Sequence, residues 1–174
     1  MAVLRLRKYG DPALRRRAAE VGEITPALRE TIADMIETMY DEVGIGLAAP
    51  QVGVTLRLMV VGHEDTRDAQ ALINPVIVDH GGQVTAEEGC LSIPGIFAPV
   101  TRSEWVKVEA KDVEGRPVRI HGRGLLARVL QHEMDHLDGV LFIDHLDPVA
   151  RDRIKRRIKK EGFPEDAEHR AFAL

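Results

Sequence analysis

Apolar residues recur at helical spacing in three segments of the chain. The first segment follows Thr25-Pro26, a pair typical of a helix start, because threonine caps the first turn and proline is tolerated at its first position. Its apolar positions are Leu28, Ile32, Met35, Ile36, Met39 and Val43, and Gly44 is expected to end it. Residues 125–138 and 147–161 show the same periodicity, and a glycine follows each. The pattern predicts three helices.

Shorter apolar segments between the first and last helices are typical of strands. Residues 57–61 and 72–78 are predicted strands, and Pro75 favours a sheet edge for the second because proline cannot donate a ladder hydrogen bond. Residues 105–120 alternate around a Glu-Gly turn, which predicts a hairpin. Because the strands cluster between these helices instead of alternating with helices, the predicted fold class is α+β.

Composition supports a single globular domain over residues 1–174. Apolar residues make up 44% of the chain and charged residues 30%, which is typical of soluble proteins. No apolar run approaches the ~18–20 residues that span a bilayer, and the first residues do not resemble a secretory signal. The one cysteine, Cys90, excludes an internal disulfide and indicates a reducing compartment such as the cytosol.

The segment His132-Glu133-Met134-Asp135-His136 is an HExxH motif inside a predicted helix. Residues four apart leave the same face of a helix, about 6 Å along its axis, so both imidazoles can reach one metal ion. Glu133 lies beside the first ligand and can approach a metal-bound water without being a ligand itself. The motif therefore predicts a catalytic metal site on a central helix.

Two histidines do not complete such a site, which usually takes three protein ligands. The chain follows the longer HExxHxxGxxH pattern as far as Gly139, but Phe142 stands where the third histidine belongs. A downstream acid, Asp152 or Glu161, and the upstream thiol of Cys90 are the remaining candidates. The residue types alone leave this choice open.

The glycine-rich segment GIGLAAPQ, residues 44–51, matches a loose dinucleotide-binding pattern, GxGxxA. A predicted helix precedes it instead of a strand, and Pro50 interrupts the helix that should bind phosphate. The nucleotide interpretation is therefore rejected. The segment could still bring its backbone close to a ligand.

Three motifs taken together resemble the peptide deformylase family. They are GIGLAAPQ at residues 44–51, EGCLS at residues 88–92 and QHEMDHLDG at residues 131–139, in the family's order and spacing. Flanking segments also resemble the family, and the likeness extends from Tyr9 to Lys160. It implies an α+β fold in which the HExxH helix packs against antiparallel sheets, with further helices toward the N- and C-termini.

The resemblance implies a metal-dependent hydrolase that removes the N-terminal formyl group from formyl-methionine of newly synthesised polypeptides and releases formate. The implied metal ligands are Cys90, His132 and His136, with Fe²⁺ as the native ion and Zn²⁺, Ni²⁺ or Co²⁺ able to substitute. Metal-bound hydroxide would attack the formyl carbon while Glu133 acts as general acid and base. Gln51 and the backbone N–H of Leu91 would stabilise the charge on the formyl oxygen.

The resemblance also implies a set of substrate-binding residues. These are Ile45, Gly46, Gly89, Arg102, Leu125 and Val129. Backbone pairing at residues 45–46 would hold the peptide as an added strand. Arg102 is alternatively a solvated loop residue. Arg128 is a departure, because relatives often carry an apolar residue there. Its guanidinium is expected to reach water or to contact the substrate at the rim of the pocket.

Charge is distributed unevenly along the chain, which has a net charge of −4. The basic residues of the last predicted helix are Arg151, Arg153, Lys155, Arg156, Arg157, Lys159 and Lys160. They are either a solvated face or a contact with ribosomal RNA, while Ile154 and Ile158 are spaced to dock the helix.

We expect a cytoplasmic monomer with no membrane association. Two alternatives to the deformylase function are a metallopeptidase that cleaves internal peptide bonds and a catalytically silent metal-binding or ribosome-associated module.

Overall fold

The structure, a computed structural model, describes residues 2–62, 68–164 and 174. The helices are α1 (Pro26–Asp41), α2 (Gly124–Leu137) and α3 (Pro148–Glu161). The strands are β1 (Gly46–Ala48), β2 (Leu58–Val61), β3 (Gln70–Gly81), β4 (Val84–Cys90), β5 (Ile93–Arg102), β6 (Trp105–Lys111) and β7 (Pro117–Arg123). The α+β class is confirmed, as is the hairpin formed by β6 and β7.

Five antiparallel strands form one sheet in the order β1-β2-β3-β6-β7, and β4 pairs with β5 in a separate two-stranded sheet. Strand β2 shows how the larger sheet is buried. Leu58 and Val60 belong to the apolar cluster that contains the inner face of α1, whereas Met59 and Val61 belong to the cluster that contains α2. Alternate residues of a strand point to opposite faces, so a helix covers each face of this part of the sheet.

The ends of α1 and α3 follow the sequence signals with one difference. Thr25 accepts a hydrogen bond from the Leu28 N–H and caps α1 as predicted. The helix ends at Asp41, before Val43, which adopts a positive φ of 56° and is 59% exposed. In α3, Ile154 and Ile158 pack on a separate apolar cluster that includes Ile93, Phe142 and Ile143, which confirms the predicted stripe. No helix among the described residues is long and apolar enough to cross a bilayer.

The predicted edge position of residues 72–78 is wrong, because β3 lies in the middle of the five-stranded sheet. The pairing of β3 with β6 shifts register between Ile73 and Val76, and Pro75 lies inside that irregularity. A bulge removes the requirement for a ladder N–H, so proline is tolerated there. Asn74, with a φ of 51°, stabilises the bulge by exchanging two side-chain hydrogen bonds with the backbone of Val21.

The β4–β5 sheet was not predicted from the sequence. Residues 84–89 contain few large apolar side chains, and β5 contains two prolines and a glycine, so neither shows clean alternation. The two strands are instead stabilised by pairing with each other. The register runs from Val84 opposite Arg102 to Cys90 opposite Ile93. This sheet matters because its strand β4 ends at the cysteine.

Candidate metal centre

Helix α2 and strand β4 bring three potential metal ligands together. His132 and His136 lie on the buried face of α2, with ring centroids 5.0 Å apart. Cys90 ends β4, and its Sγ lies 3.4 Å from His136 Nε2. One ligand atom from each of the three residues lies within 4.8 Å of the others. The structure thus places Cys90 beside the HExxH helix, whereas Asp152 and Glu161 are exposed on α3.

The side chains around this point have the chemistry that a divalent cation and its ligands require. Among the described residues, the buried polar atoms without a hydrogen-bond partner include His132 Nε2 and both carboxylate oxygens of Glu133. Leaving such groups unpaired is costly, so they are suited to face a bound group. A thiolate with two imidazoles is a donor set that Zn²⁺, Fe²⁺ and similar ions accept. The residues therefore fit a metal ion.

Glu88 fixes the orientation of the first histidine. Its carboxylate is fully buried, and its Oε1 lies 2.9 Å from His132 Nδ1. This contact directs Nε2 of His132 toward the centre, as outer carboxylates commonly do for metal-binding histidines. The sequence analysis missed this role, although a signal was present. Glu88 precedes Cys90 by two positions, the spacing that places two side chains on the same face of a regular strand.

Two arginines surround the Glu88 carboxylate. Arg102 donates to both of its oxygens, at 2.7 and 2.9 Å, and to Asp135 Oδ2 at 2.8 Å. With a side chain only 4% exposed, Arg102 is not a solvated loop residue. Arg128 is also buried and donates to Glu88 Oε2 at 2.5 Å. The expectation that its guanidinium reaches water is therefore wrong, because the side chain is only 9% exposed and both terminal nitrogens donate to Glu88 or to backbone carbonyls.

Burial and neighbouring charge shift the pKa values of the ionisable groups at the centre. Burial raises the pKa of Glu133 to about 7, and the positive neighbours His132 and Arg102 only partly offset that rise. Burial also lowers the pKa of His136 well below its usual value. For His132, burial acts downward, but Cys90 and Glu88 outweigh it and raise the pKa to about 10. Burial likewise opposes ionisation of Glu88, yet its hydrogen bonds to His132 and Arg102 hold its pKa well below the ordinary range.

Gln51 and Leu91 lie at the same centre. The Ala48 N–H donates to Gln51 Oε1 at 2.9 Å, so the amide nitrogen points the other way, 3.7 Å from Cys90 Sγ and 3.2 Å from Ser92 Oγ. The backbone N–H of Leu91, the residue after the cysteine, donates to the carbonyl oxygen of Leu174 at 3.0 Å. The Gln51 amide nitrogen thus faces the sulfur, while the Leu91 N–H directly follows the cysteine along the chain.

The predicted substrate-binding residues lie on or beside strands β1, β4 and β5 and on helix α2. Strand β1 is an edge strand, so the side of Gly46 away from β2 is available for an added strand. Ile45, Leu125 and Val129 belong to one apolar cluster on the α2 side of the sheet. Gly89 pairs across β4–β5 with Phe97. The Arg102 guanidinium donates to Glu88 and Asp135.

This fold and site define a class of protein: an α+β metallohydrolase whose HExxH helix meets a cysteine on a neighbouring strand. The sequence profile of the family described as Polypeptide deformylase matches residues 3–152, and the chain belongs to that family. It is accordingly a metal-dependent hydrolase.

Individual relatives agree with this assignment. The chain is 48% identical over 162 residues to a peptide deformylase of Alkalilimnicola ehrlichii, covering 92% of this chain and 91% of the relative. The crystal structure of a peptide deformylase from Legionella pneumophila has a TM-score of 0.87 and 44% identity, and the match covers 91% of this chain and 95% of that one. A peptide deformylase from Synechococcus elongatus in complex with actinonin has a TM-score of 0.84 and 46% identity, covering 94% and 88%.

Proposed function

We propose that this enzyme removes the N-terminal formyl group from formyl-methionine of nascent polypeptides and releases formate. The observation that carries the proposal is the buried Cys90–His132–His136 cluster with the unpartnered carboxylate of Glu133 beside it. The deformylase family of the chain supports the reaction. We further propose that residues 1–174 form one catalytic domain.

Cys90, His132 and His136 would hold one divalent ion. A bound divalent cation supplies two kinds of chemistry at such a site: it acidifies a water molecule toward neutral pH and polarises a carbonyl oxygen. We expect Fe²⁺ natively, as the family resemblance implies, and the donor types also accept Zn²⁺, Ni²⁺ or Co²⁺. Glu88 keeps His132 Nδ1 engaged, so that Nε2 is the ligand atom.

Glu133 moves the proton. Its carboxylate is fully buried, and its oxygens have no protein donor. Such a carboxylate can accept a proton from the attacking water and then deliver it to the leaving amine. Its Oε1 lies 3.9 Å from His132 Nε2, so the proton acceptor adjoins the first ligand without replacing it.

Gln51 and Leu91 stabilise the charge that develops on the formyl oxygen. The Ala48 N–H fixes the Gln51 amide, so its Nε2 is a donor held in place before substrate arrives. The Leu91 N–H already engages a carbonyl oxygen in this structure, that of Leu174. Donors that need no reorganisation lower the barrier most, and losing one typically costs on the order of 10²–10³ in rate.

The peptide would bind as an added strand on the edge of β1. Its methionine side chain would lie in a pocket formed by the apolar residues Ile45, Leu125 and Val129. Gly46 brings that edge against α2, since an added Cβ would lie 2.8 Å from Val129 Cγ1. Main-chain pairing tolerates varied sequences after the first residue, which suits an enzyme that acts on many nascent chains. Leu125 and Ile45 would complete the pocket.

Formate release from a formyl-Met peptide tests the proposal. Anaerobically prepared protein should deformylate formyl-Met-Ala-Ser and leave acetylated and internal peptide bonds intact. Glu133→Gln should lower kcat by about 10²–10⁴-fold while retaining the metal, and Glu109→Gln, whose half-exposed side chain on β6 pairs with Arg119, serves as the matched control. Cleavage of internal bonds would favour a metallopeptidase. Unchanged turnover in Glu133→Gln would contradict the mechanism.

We also propose a cytoplasmic monomer that meets its substrate at the ribosome. The exposed basic residues of α3 are Arg153, Arg156, Arg157, Lys159 and Lys160. A cationic surface of this kind favours ribosomal RNA. Co-sedimentation with ribosomes should weaken steeply between 50 and 200 mM salt, at about the slope expected for several phosphate contacts. Binding that persists unchanged in high salt would contradict this contact.

A further inference from the structure

Arg128 connects the two elements that carry the metal ligands. It projects from α2, one turn before His132, and donates to Glu88 Oε2 at 2.5 Å. It also donates to two backbone carbonyls, Val100 at 3.0 Å and Val84 at 2.8 Å. These carbonyls belong to the two different strands of the β4–β5 sheet. One guanidinium therefore bridges the helix that carries the histidines to the sheet that carries Cys90.

Arg128 also supplies a buried positive charge to the Glu88 carboxylate. Arg102 is shared between Glu88 and Asp135, whereas, within the described part of the chain, Arg128 forms its ion pair with Glu88 alone. The ion pair between Arg128 and Glu88 is almost fully buried, with side-chain exposures of 9% and 0%. Breaking a buried charged pair on one side leaves the other charge unpaired, so Glu88 would lose part of its support.

We propose that Arg128 is a positioning residue of the metal centre: it holds Glu88, and through Glu88 the imidazole of His132, at the distance from Cys90 that the ion needs. The proposal rests on the proposed metal ligands. It acts through geometry, because the arginine touches neither the ligand atoms nor Glu133. The guanidinium divides these bonds between two nitrogens, since Nη1 donates to Glu88 and Val100 and Nη2 donates to Val84, whereas an ammonium group would have to donate to all three from a single nitrogen.

Cobalt binding tests the role without relying on turnover. Arg128→Met should weaken Co²⁺ affinity by about 10–100-fold in chelator competition, the usual cost of losing an outer-shell partner, and should shift the visible absorption of the cobalt-loaded protein. Arg128→Lys should fall between Arg128→Met and the unmodified enzyme. Arg57→Met is the matched control, since Arg57 also binds α2, at the Leu137 carbonyl and Asp138, but does not contact Glu88.

Two outcomes would overturn the proposal. One is an unchanged cobalt affinity and spectrum in Arg128→Met, and the other is an equal loss in Arg57→Met, which would mean that general destabilisation is the cause. If Arg128→Met does not fold, values equal to those of the unmodified enzyme in Arg128→Lys overturn it instead. Formate release by the unmodified enzyme tests the proposed function separately, so failure of one is distinguishable from failure of the other.

A separate observation concerns Leu174. Its side chain is fully buried and belongs to the same apolar cluster as Val129. Its N–H donates to the Gly89 carbonyl at 3.2 Å, and its carbonyl accepts from the Leu91 N–H at 3.0 Å. One residue thus pairs with the chain on both sides of Cys90, in the manner of an added strand.

We infer that Leu174 occupies part of the substrate site, beside Gly89 and Leu91, and competes with the substrate. This rests on the proposed function, because Leu91 is the donor assigned to the formyl oxygen. A groove that is free for only a fraction of the time raises the apparent Kd by the inverse of that fraction. An occupancy of about nine-tenths would therefore raise KM about tenfold and leave kcat at saturating substrate unchanged.

Substitution of Leu174 in the full chain tests the competition. Leu174→Asp places a charge in an apolar pocket and should lower KM for a formyl-Met peptide several-fold, whereas Leu174→Met should stay near the unmodified enzyme. Amide exchange at Leu91 should be faster in Leu174→Asp, and this readout does not depend on activity. Equal KM and equal Leu91 exchange in the two variants would overturn the inference.

Discussion

Replacing Gly46 by alanine tests whether strand β1 holds Glu133 in place. A Cβ on Gly46 would lie 2.9 Å from Glu133 Cγ and 2.8 Å from Val129 Cγ1. Carbon atoms prefer ~3.5–4.0 Å, so each neighbour must move by roughly 0.6 Å or more. Both neighbours are fully buried on α2, so neither can swing into solvent.

The expected effects follow from that displacement. Overpacking of this kind costs about 1–3 kcal/mol, which lowers Tm by roughly 2–12 °C in a chain of this length. Misplacing a reacting group by 1 Å can cost about 10²-fold, so Gly46→Ala should lower kcat by roughly 10–100-fold. Formate release and thermal unfolding, measured on the same metal-loaded sample, give both quantities.

Gly62→Ala is the matched control for this prediction. Its Cβ would lie 3.1 Å from Met39 Cε, the end of a flexible side chain that can yield, so kcat should be unchanged. If Gly46→Ala folds and keeps kcat within twofold of the unmodified enzyme, the argument that β1 positions Glu133 is refuted.

Three further predictions concern other contacts of the site and fold. Gln51→Leu should lower kcat by about 10²–10³-fold with metal content retained, and a change in KM alone would contradict its role as an oxyanion donor. Phe142→Ala should cost about 3–5 kcal/mol in urea unfolding, because Phe142 is 1% exposed and stacks on His132 at 6.3 Å. For Asp144, burial raises the pKa, but Arg15 and the Leu141 N–H outweigh it and lower the pKa below its usual value. The stabilisation by ionised Asp144 is fully present above the unfolded pKa of about 3.9 and is lost as the pH falls below that value. Asp144→Asn should therefore lower the free energy of unfolding by about 1 kcal/mol at pH 7 and by progressively less in acid. A gap between the Asp144→Asn and unmodified proteins that stays constant down to pH 2 would contradict this.

Local sequence patterns were sufficient to predict the three helices and the types of the metal-ligand residues. Periodicity and caps predicted α1, α2 and α3 closely, because a helix is stabilised by contacts between residues three and four apart. The HExxH spacing likewise predicted two ligands on one face of α2, a consequence of helix geometry alone. The family motifs added Cys90, which residue types left open against Asp152 and Glu161.

Contacts between distant segments account for what the sequence analysis missed. Pro75 indicated an edge strand, but the bulge that accommodates it in the sheet centre depends on Asn74 reaching Val21, 53 positions away. Strands β4 and β5 have weak patterns of their own and form by pairing with each other. The bulge and the β4–β5 pairing both depend on contacts between residues far apart in the chain. No hydrophobic periodicity within a short stretch of sequence reveals them.

The amino-acid sequence by itself therefore supplied the candidate groups of the site: a thiol, two imidazoles one helical turn apart and a carboxylate between them. The tertiary structure alone decides how they meet and what supports them. Arg128 and Arg102 read as surface cations along the chain, yet both are buried around Glu88, 40 and 14 positions away. A charge of that kind is stable inside a protein only where folding supplies its partner, and the partner's distance is set by the fold and not by the local sequence.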